Sequence, residues 1–233
     1  MVIDPLVVRA REFLAEQFLA GVCAGCSAGR GPVCVRCVAQ IEPRVTIGTY
    51  HGIQVAQAVT YEPPISQLVI AFKDRGEWSL RPLLGQLLAR SIAHLLLSIE
   101  EGSPVLLRSP LLLAPIAATV DSIRLRDADP VADLAHTAAA LLRRSGMEIR
   151  SQRLLSMRRG HRDHVGLSRG ERIANMHDAF TLRGRAPVGA PVVLVDDVVT
   201  TGATLASAQR VLAGAGFEVL GAGVIAAAKG GIR

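Results

Sequence analysis

Aromatic side chains are nearly missing from this chain of 233 residues, making up only 3% of it. So few flat rings argue against a platform that stacks the bases of single-stranded nucleic acid. They also argue against an aromatic-rich β-sandwich. With 50% of the residues hydrophobic and mostly aliphatic, the composition suits a parallel sheet covered by helices. No apolar run is long enough to span a bilayer. The stretch from Val105 to Val120 is interrupted by Arg108, Pro110 and Pro115, and that from Val211 to Ala228 by Glu218 and several glycines. A secretory leader is missing too, because Arg9, Arg11, Glu12 and Glu16 break the N-terminal stretch where an apolar core would be needed. The expectation is a cytoplasmic protein with no membrane span.

Two familiar phosphate-binding signatures are also missing. No G-x-x-x-x-G-K-[ST] occurs, which excludes a P-loop. The nearest G-x-G-x-x-A, Gly221 to Ala226, stands too near the C-terminus to open a βαβ unit, which argues against a dinucleotide fold.

Cysteine is missing everywhere except between Cys23 and Cys37, where it occurs twice as C-x-x-C, in "CAGC" and "CVRC". Each pair presents two thiolates from one tight turn, and two such turns facing each other close a tetrahedral four-sulfur site. A cytosolic location argues against structural disulfides. A redox C-x-x-C normally opens a helix after a strand and does not come doubled, and four uncommitted thiols are the remaining alternative. The spacing favours Zn2+ held by Cys23, Cys26, Cys34 and Cys37 in a structural role, since four protein ligands leave no position for a substrate water. Such knuckles serve nucleic-acid binding, protein contacts and simple stapling alike.

What the chain does have is positive charge and alternating elements. A formal charge of +6 and a pI near 9.8 favour anionic partners such as phosphates or nucleic acid. An amphipathic helix is expected over residues 5–20, then the cysteine-rich stretch, then two strands within 45–62 joined by a His-Gly turn. Helices follow over 64–76 and 80–99, a buried strand over 105–115, and a helix over 130–146 with Pro130 at its start and Gly146 past its end. A strand over 147–157, a polar loop over 158–170 and a short helix over 168–177 come next. The chain closes with a strand over 190–197, a helix over 203–216 and a strand over 217–227. Strands alternating with helices of this length imply βαβ units and a parallel sheet. Residues 1–44 are expected to form an N-terminal helix and four-cysteine module, and 45–233 the α/β domain.

The stretch "VVLVDDVVTTGATL" (192–205) concentrates the chemistry. Val192 to Val195 read as a strand buried on both faces, which places Asp196 and Asp197 at its carboxyl end, where open parallel sheets bind ligands. Thr200, Thr201, Gly202 and Thr204 then lead into a helix. Hydroxyls, backbone N–H groups near a glycine and the positive end of a helix dipole make an anion cradle. A phosphate in the loop and hydroxyls or a divalent cation at the carboxylates describe a ribose 5-phosphate. A Walker B-like Mg2+ site and a solvated strand end with an N-capping Thr are the competing readings.

This stretch resembles the phosphoribosyl pyrophosphate (PRPP) motif of type I phosphoribosyltransferases. The wider chain is similar to the ComF family, competence-associated proteins that join a four-cysteine zinc module to a phosphoribosyltransferase domain. The likeness runs through the cysteines, "LVIAFKDRG", "ERIANMHDAF" and "LAGAGFEVLGAGVIA". It implies a type I phosphoribosyltransferase fold of the α/β class with a small N-terminal zinc knuckle. It implies that Asp196 and Asp197 hold the ribose 2- and 3-hydroxyls and act in catalysis. By the same likeness Val198, Val199, Thr200, Thr201, Gly202, Ala203 and Thr204 wrap the 5-phosphate, and Mg2+ binds the pyrophosphate and ribose oxygens. Lys73 stands where the family carries a Lys that reaches a phosphate, although a lysine at a helix end is also favourable to the dipole.

The resemblance weakens on the pyrophosphate side. In "APIAATVDSIRLRDADP", Pro115 and Arg126 match the family pattern, but Ala117 replaces a second Pro, and Asp127, Ala128, Asp129 and Pro130 replace Gly-Phe-Asn-Gln. Two carboxylates near a pyrophosphate are electrostatically unhelpful without a metal between them. His164 stands in the place of a loop Gln. His161 and His164 have H-x-x-H spacing but read as solvated residues. Arg158, Arg159, Arg162 and Arg169 read as a lid over phosphates or a basic surface. Three functions stay open at this level: a phosphoribosyltransferase acting on an unidentified acceptor, a silent PRPP- or nucleotide-binding adaptor, and a DNA-handling protein of the DNA-uptake type. A homo-oligomer is compatible with all three.

Overall fold

The computed structural model describes residues 21–99, 110–117, 128–158, 179–183, 187 and 189–228. The expected helices over 5–20 and 168–177, together with Arg126, Asp127, Arg159, His161, Arg162, His164 and Arg169, lie outside these residues. The chain divides into two compact units, Met1–Glu42 with Glu62–Leu80, and Pro43–Tyr61 with Arg81–Arg233. The stretch 62–80, which the sequence reading places after the 44/45 boundary, groups with the cysteines.

In the first unit a short helix α1 (Val35–Ala39) follows Cys34 directly. Helix α2 (Ile65–Arg75) buries Ile65, Leu68, Val69 and Phe72, the i, i+3, i+4, i+7 set of an amphipathic helix. It stops at Gly76, whose φ of 68° is the left-handed cap expected there. Phe72 meets Trp78 edge-on, with centroids 5.1 Å apart at 86°. Lys73 is half-buried in the last turn of α2, where its charge suits the helix dipole.

The second unit is built on a six-stranded sheet in the order β1-β2-β8-β7-β3-β4. Its strands are β1 (Thr46–Tyr50), β2 (Ile53–Thr60), β3 (Leu111–Pro115), β4 (Ile149–Ser151), β7 (Pro191–Val199) and β8 (Glu218–Ala227). All pairs are parallel except β1 with β2, which are joined at His51 and Gly52. Both turn residues have positive φ (48° and 81°), the geometry of a type I′ turn that matches strand twist. Helices α3 (Arg81–Leu97), α4 (Pro130–Arg144) and α5 (Ala203–Gly214) connect or follow these strands. Strands β5 (Leu155–Met157) and β6 (Phe180–Leu182) form a separate antiparallel pair.

The core splits by sheet face. Gly221 and Gly223 of β8 point at α3, where an added Cβ would meet Leu95 and Ile92. Val192 and Leu194 of β7 and Ala222 and Val224 of β8 instead join Leu205, Ala208 and Leu212 of α5 in one apolar cluster. Two expected strands change. The stretch 147–157 is two strands, β4 in the main sheet and β5 in the small one. Between them the Gln152 N–H donates to the Leu113 carbonyl at 2.9 Å, and Leu154 is buried. Strand β7 does not stop at Asp197 but pairs with β8 as far as Val199 opposite Ala227. Among the described residues, no helix is long and apolar enough to cross a membrane.

Candidate functional site

Strand β7 carries both aspartates inside its paired length. Asp196 registers with Val224 and Val198 with Ala226, so Asp196 belongs to the face that α5 covers. Asp197 follows it within the paired length of the strand. The two differ in burial: Asp197 is 5% exposed, whereas Asp196 is only half-buried. The Asp197 N–H donates to Asp196 Oδ1 at 2.9 Å, and the Val198 N–H donates to Asp197 Oδ1 at 2.8 Å. Each carboxylate therefore steadies the backbone that follows it. The two acids, equivalent by sequence, are unequal in the fold.

The loop beyond them turns at Thr200 and Thr201, both exposed, into α5. Gly202 is the N-cap at φ 77°, a conformation costly for a residue with Cβ. Space demands glycine as well, because a Cβ there would fall 2.6 Å from Tyr50 Cβ. The Thr201 hydroxyl accepts from the Ala203 N–H at 3.4 Å. Half-buried Ala203 and Thr204 complete the first turn, where backbone N–H groups outside the intrahelical ladder and the helix dipole favour an anion. Residues 198–204 are thus brought together at the end of the sheet where the carboxylates sit.

The start of α4 gives Asp129 a role that the sequence reading did not assign. Asp129 is 6% exposed and caps α4, accepting from the Ala132 N–H at 3.2 Å. Its other oxygen lies 3.2 Å from Arg153. It is a helix cap with a cationic partner, and its charge is neutralised from within the chain. The signal was present in "DADP", since Asp followed by Pro at the first helical position marks an N-terminus. Arg153 carried no local signal, because its partner lies 24 residues away in sequence (153 − 129). Asp129→Ala is expected to lower unfolding stability by about 1–2 kcal/mol in a urea titration, chiefly by loss of the cap. Asp129→Asn, which keeps a capping oxygen, should recover most of it. The ion pair adds little because Arg153 is 53% exposed.

The second candidate site is the sulfur cluster of the first unit. The Sγ atoms of Cys23, Cys26, Cys34 and Cys37 all lie within 4.8 Å of one another. Cys23 to Cys37 and Cys26 to Cys34 are each 3.7 Å. A tetrahedron with metal–sulfur bonds of about 2.3 Å has edges of about 3.8 Å, so the spacing fits one metal ion. The Gly25 and Cys34 N–H groups donate to Cys23 Sγ at 3.4 and 3.2 Å. Gly29 is needed by close approach, since a Cβ there would lie 2.5 Å from Cys34 Cβ and 2.8 Å from its sulfur. Backbone N–H groups of Ala28 and Gly29 bring the exposed Cys26 thiol down to about 6. Burial pushes the Cys37 thiol up, well above its ordinary range. Burial also acts upward on Cys23, but hydrogen bonds from Cys34, Cys26 and Gly25 lower it on balance. These four groups can hold a metal ion.

No family model matches the sequence. Adenine phosphoribosyltransferases of Clavibacter michiganensis subsp. michiganensis (strain NCPPB 382) and of Clavibacter sepedonicus are each 41% identical to it over 64 residues. This chain resembles phosphoribosyltransferases over that segment. The match covers 28% of the chain and 34% and 31% of the two relatives, so the chain spans about a third of the length of the curated proteins it matches. Among solved structures, orotate phosphoribosyltransferase from Aeropyrum pernix superposes with a TM-score of 0.31 at 18% identity, covering 75% of this chain and 81% of that one.

Proposed function

We infer that this chain is a PRPP-binding, phosphoribosyltransferase-like protein that transfers the phosphoribosyl group to an acceptor. The observation that carries the reading is the geometry at the end of β7: a half-buried carboxylate, Asp196, stands beside a loop whose Gly202 opens a helix. The 64-residue segment shared with adenine phosphoribosyltransferases also supports it. In this reading the loop from Val198 to Thr204 holds the 5-phosphate through backbone N–H groups and hydroxyls. Asp196 and Asp197 serve the ribose hydroxyls, Asp196 directly and Asp197 by fixing the backbone at Val198. Displacing pyrophosphate from the ribose C1 builds positive charge there, which nearby carboxylates stabilise. The exposed edge of Asp196 offers the hard oxygen donor that suits Mg2+, and the ion would neutralise the departing pyrophosphate. The four cysteines are proposed to hold one structural Zn2+.

A second reading is favoured by Asp129. The helix N-terminus that follows β3 is already filled by this carboxylate, and Arg153 is committed to it. A pyrophosphate there would have to displace an internal cap, which favours a protein that binds PRPP without transferring from it.

Titration calorimetry with PRPP and Mg2+, followed by a pyrophosphate-release assay across purine and pyrimidine bases, tests both readings. Saturable binding with release supports transfer. Binding without release on any base supports the silent binder. A chain that takes up no PRPP with Mg2+ sinks the two together.

A further inference from the structure

The four sulfurs of the cysteine cluster are unequal in what can reach them. Cys23 and Cys37 are 0% and 1% exposed. A Cβ on Gly25 would fall 3.0 Å from Cys37 Sγ and 3.1 Å from Pro64 Cβ, so Gly25 is wedged between that sulfur and the N-cap of α2. The other two face outward, since Cys26 is exposed and Cys34 half-buried. The cluster therefore has a covered edge, Cys23–Cys37, and an open edge, Cys26–Cys34, each 3.7 Å between sulfurs. Each edge takes one cysteine from each C-x-x-C, so the open edge joins the two motifs and lies within neither.

A cysteine that binds a metal does so as a thiolate, and attack by oxidants follows thiolate character and access. Access here is confined to the open edge. An oxidant arriving from solvent meets Cys26 and finds the Cys34 sulfur 3.7 Å behind it. An oxidised cysteine with a second thiolate so close ends as a disulfide, ahead of the irreversible acids. The gap must shorten to about 2 Å for that bond. Cys26 lies in a turn and Cys34 at the N-cap of α1, so the approach bends connections and leaves the middle of every helix and strand in place.

We propose that Cys26 and Cys34 are a hydroperoxide-sensitive modification site, which gives up the structural metal when it closes as a disulfide. This rests on the reading of the four cysteines as a Zn2+ site. The Cys26 thiolate attacks one oxygen of hydrogen peroxide, the O–O bond breaks, and the departing hydroxide takes a proton to become water. Cys26 is left as a sulfenic acid. The Cys34 thiolate then attacks the Cys26 sulfur and expels the second hydroxide, which is protonated in turn. Two thiolates lose two electrons in all, and one peroxide becomes two waters. Cys23 and Cys37 remain reduced, too few to complete a tetrahedral site. A dithiol reductant reverses the change and restores the ligand set.

The test uses the full chain. Metal analysis of the reduced protein comes first. Hydrogen peroxide is then added beside a chromogenic zinc chelator, against a peroxide-free control, and the products are alkylated and digested with trypsin. Cleavage after Arg30, Arg36 and Arg44 puts Cys34 on residues 31–36 and Cys37 on residues 37–44. The expected result is loss of the bound zinc together with two of the four thiols. A cross-link should join the peptide ending at Arg30 to residues 31–36, and fragmentation should place it at Cys26. Cys23 and Cys37 should still take the alkylating agent, and dithiothreitol should restore all four thiols and uptake of added Zn2+. A cross-link to residues 37–44, a bond between Cys23 and Cys26, or Cys26 carried to sulfinic acid with no cross-link would each overturn the proposal. So would a chain that keeps its zinc in excess peroxide. A reduced chain that holds no zinc is a separate result, since it removes the metal reading and the proposal falls with it.

Discussion

Asp196→Asn is expected to reduce pyrophosphate release from PRPP by at least about a hundredfold while leaving the thermal unfolding midpoint where it was. The amide has the shape of the carboxylate and keeps an oxygen for the Asp197 N–H, which now donates to Asp196 Oδ1 at 2.9 Å. What it loses is the charge proposed to face the ribose. Because Asp196 is only half-buried, removing that charge does not unbalance the core. Asp197→Asn should behave differently. Its side chain is 5% exposed and anchors the Val198 N–H at the root of the loop 198–204. Replacing a charged acceptor by a neutral one at this place should cost about 1 kcal/mol of stability as well as activity. The pair of measurements, turnover and Tm for each variant, separates a residue that meets the ligand from one that holds the loop. Full activity in both variants would remove the strand end from the chemistry altogether.

The inequality of the two aspartates shows where sequence reading stops. The run of aliphatics into "DD" and the Thr-Gly loop marked the end of a buried strand and the start of a helix, and both are present. Their difference in burial was not legible, because it depends on how far the strand stays paired, and β7 pairs with β8 as far as Ala227. Local punctuation read well for the same reason that it is local. Gly76 closes α2, His51 and Gly52 make the hairpin turn, and Pro130 opens α4, each through backbone constraints of the residue itself. Long-range partners did not read. Nothing near Asp129 announces Arg153, and nothing near Gly202 announces that Tyr50, far upstream in the chain, lies against it. Even so, glycine at 202 records that contact as a missing side chain. The four cysteines read as a cluster because C-x-x-C is a local geometry, and the cluster's spacing is that of a metal site.

Stripping metal from the purified protein is expected to abolish the folded state of the cysteine-bearing unit. Four sulfurs held within 4.8 Å are a poor arrangement without an ion once more than one is ionised, since thiolates repel. Structural Zn2+ in modules of this size supplies about 10–16 kcal/mol of apparent binding energy, far above the stability that so small a core provides. Metal analysis should find one Zn2+ per chain, and a strong chelator should remove amide-exchange protection around Cys23 to Cys37. Cys34→Ser should lower the zinc content in the same direction. The pH dependence has a definite sign. Metal binding requires thiolates, so affinity rises with pH, because fewer protons have to be displaced. Cys26, already brought to about 6, is ionised at neutral pH, whereas Cys37, raised by burial, gives up its proton to the metal. Below about 6 Cys26 must lose a proton too, so zinc affinity should fall more steeply there than between 6 and 8. Chain purified under reducing conditions with no bound metal and four freely titrating thiols would rule the metal site out.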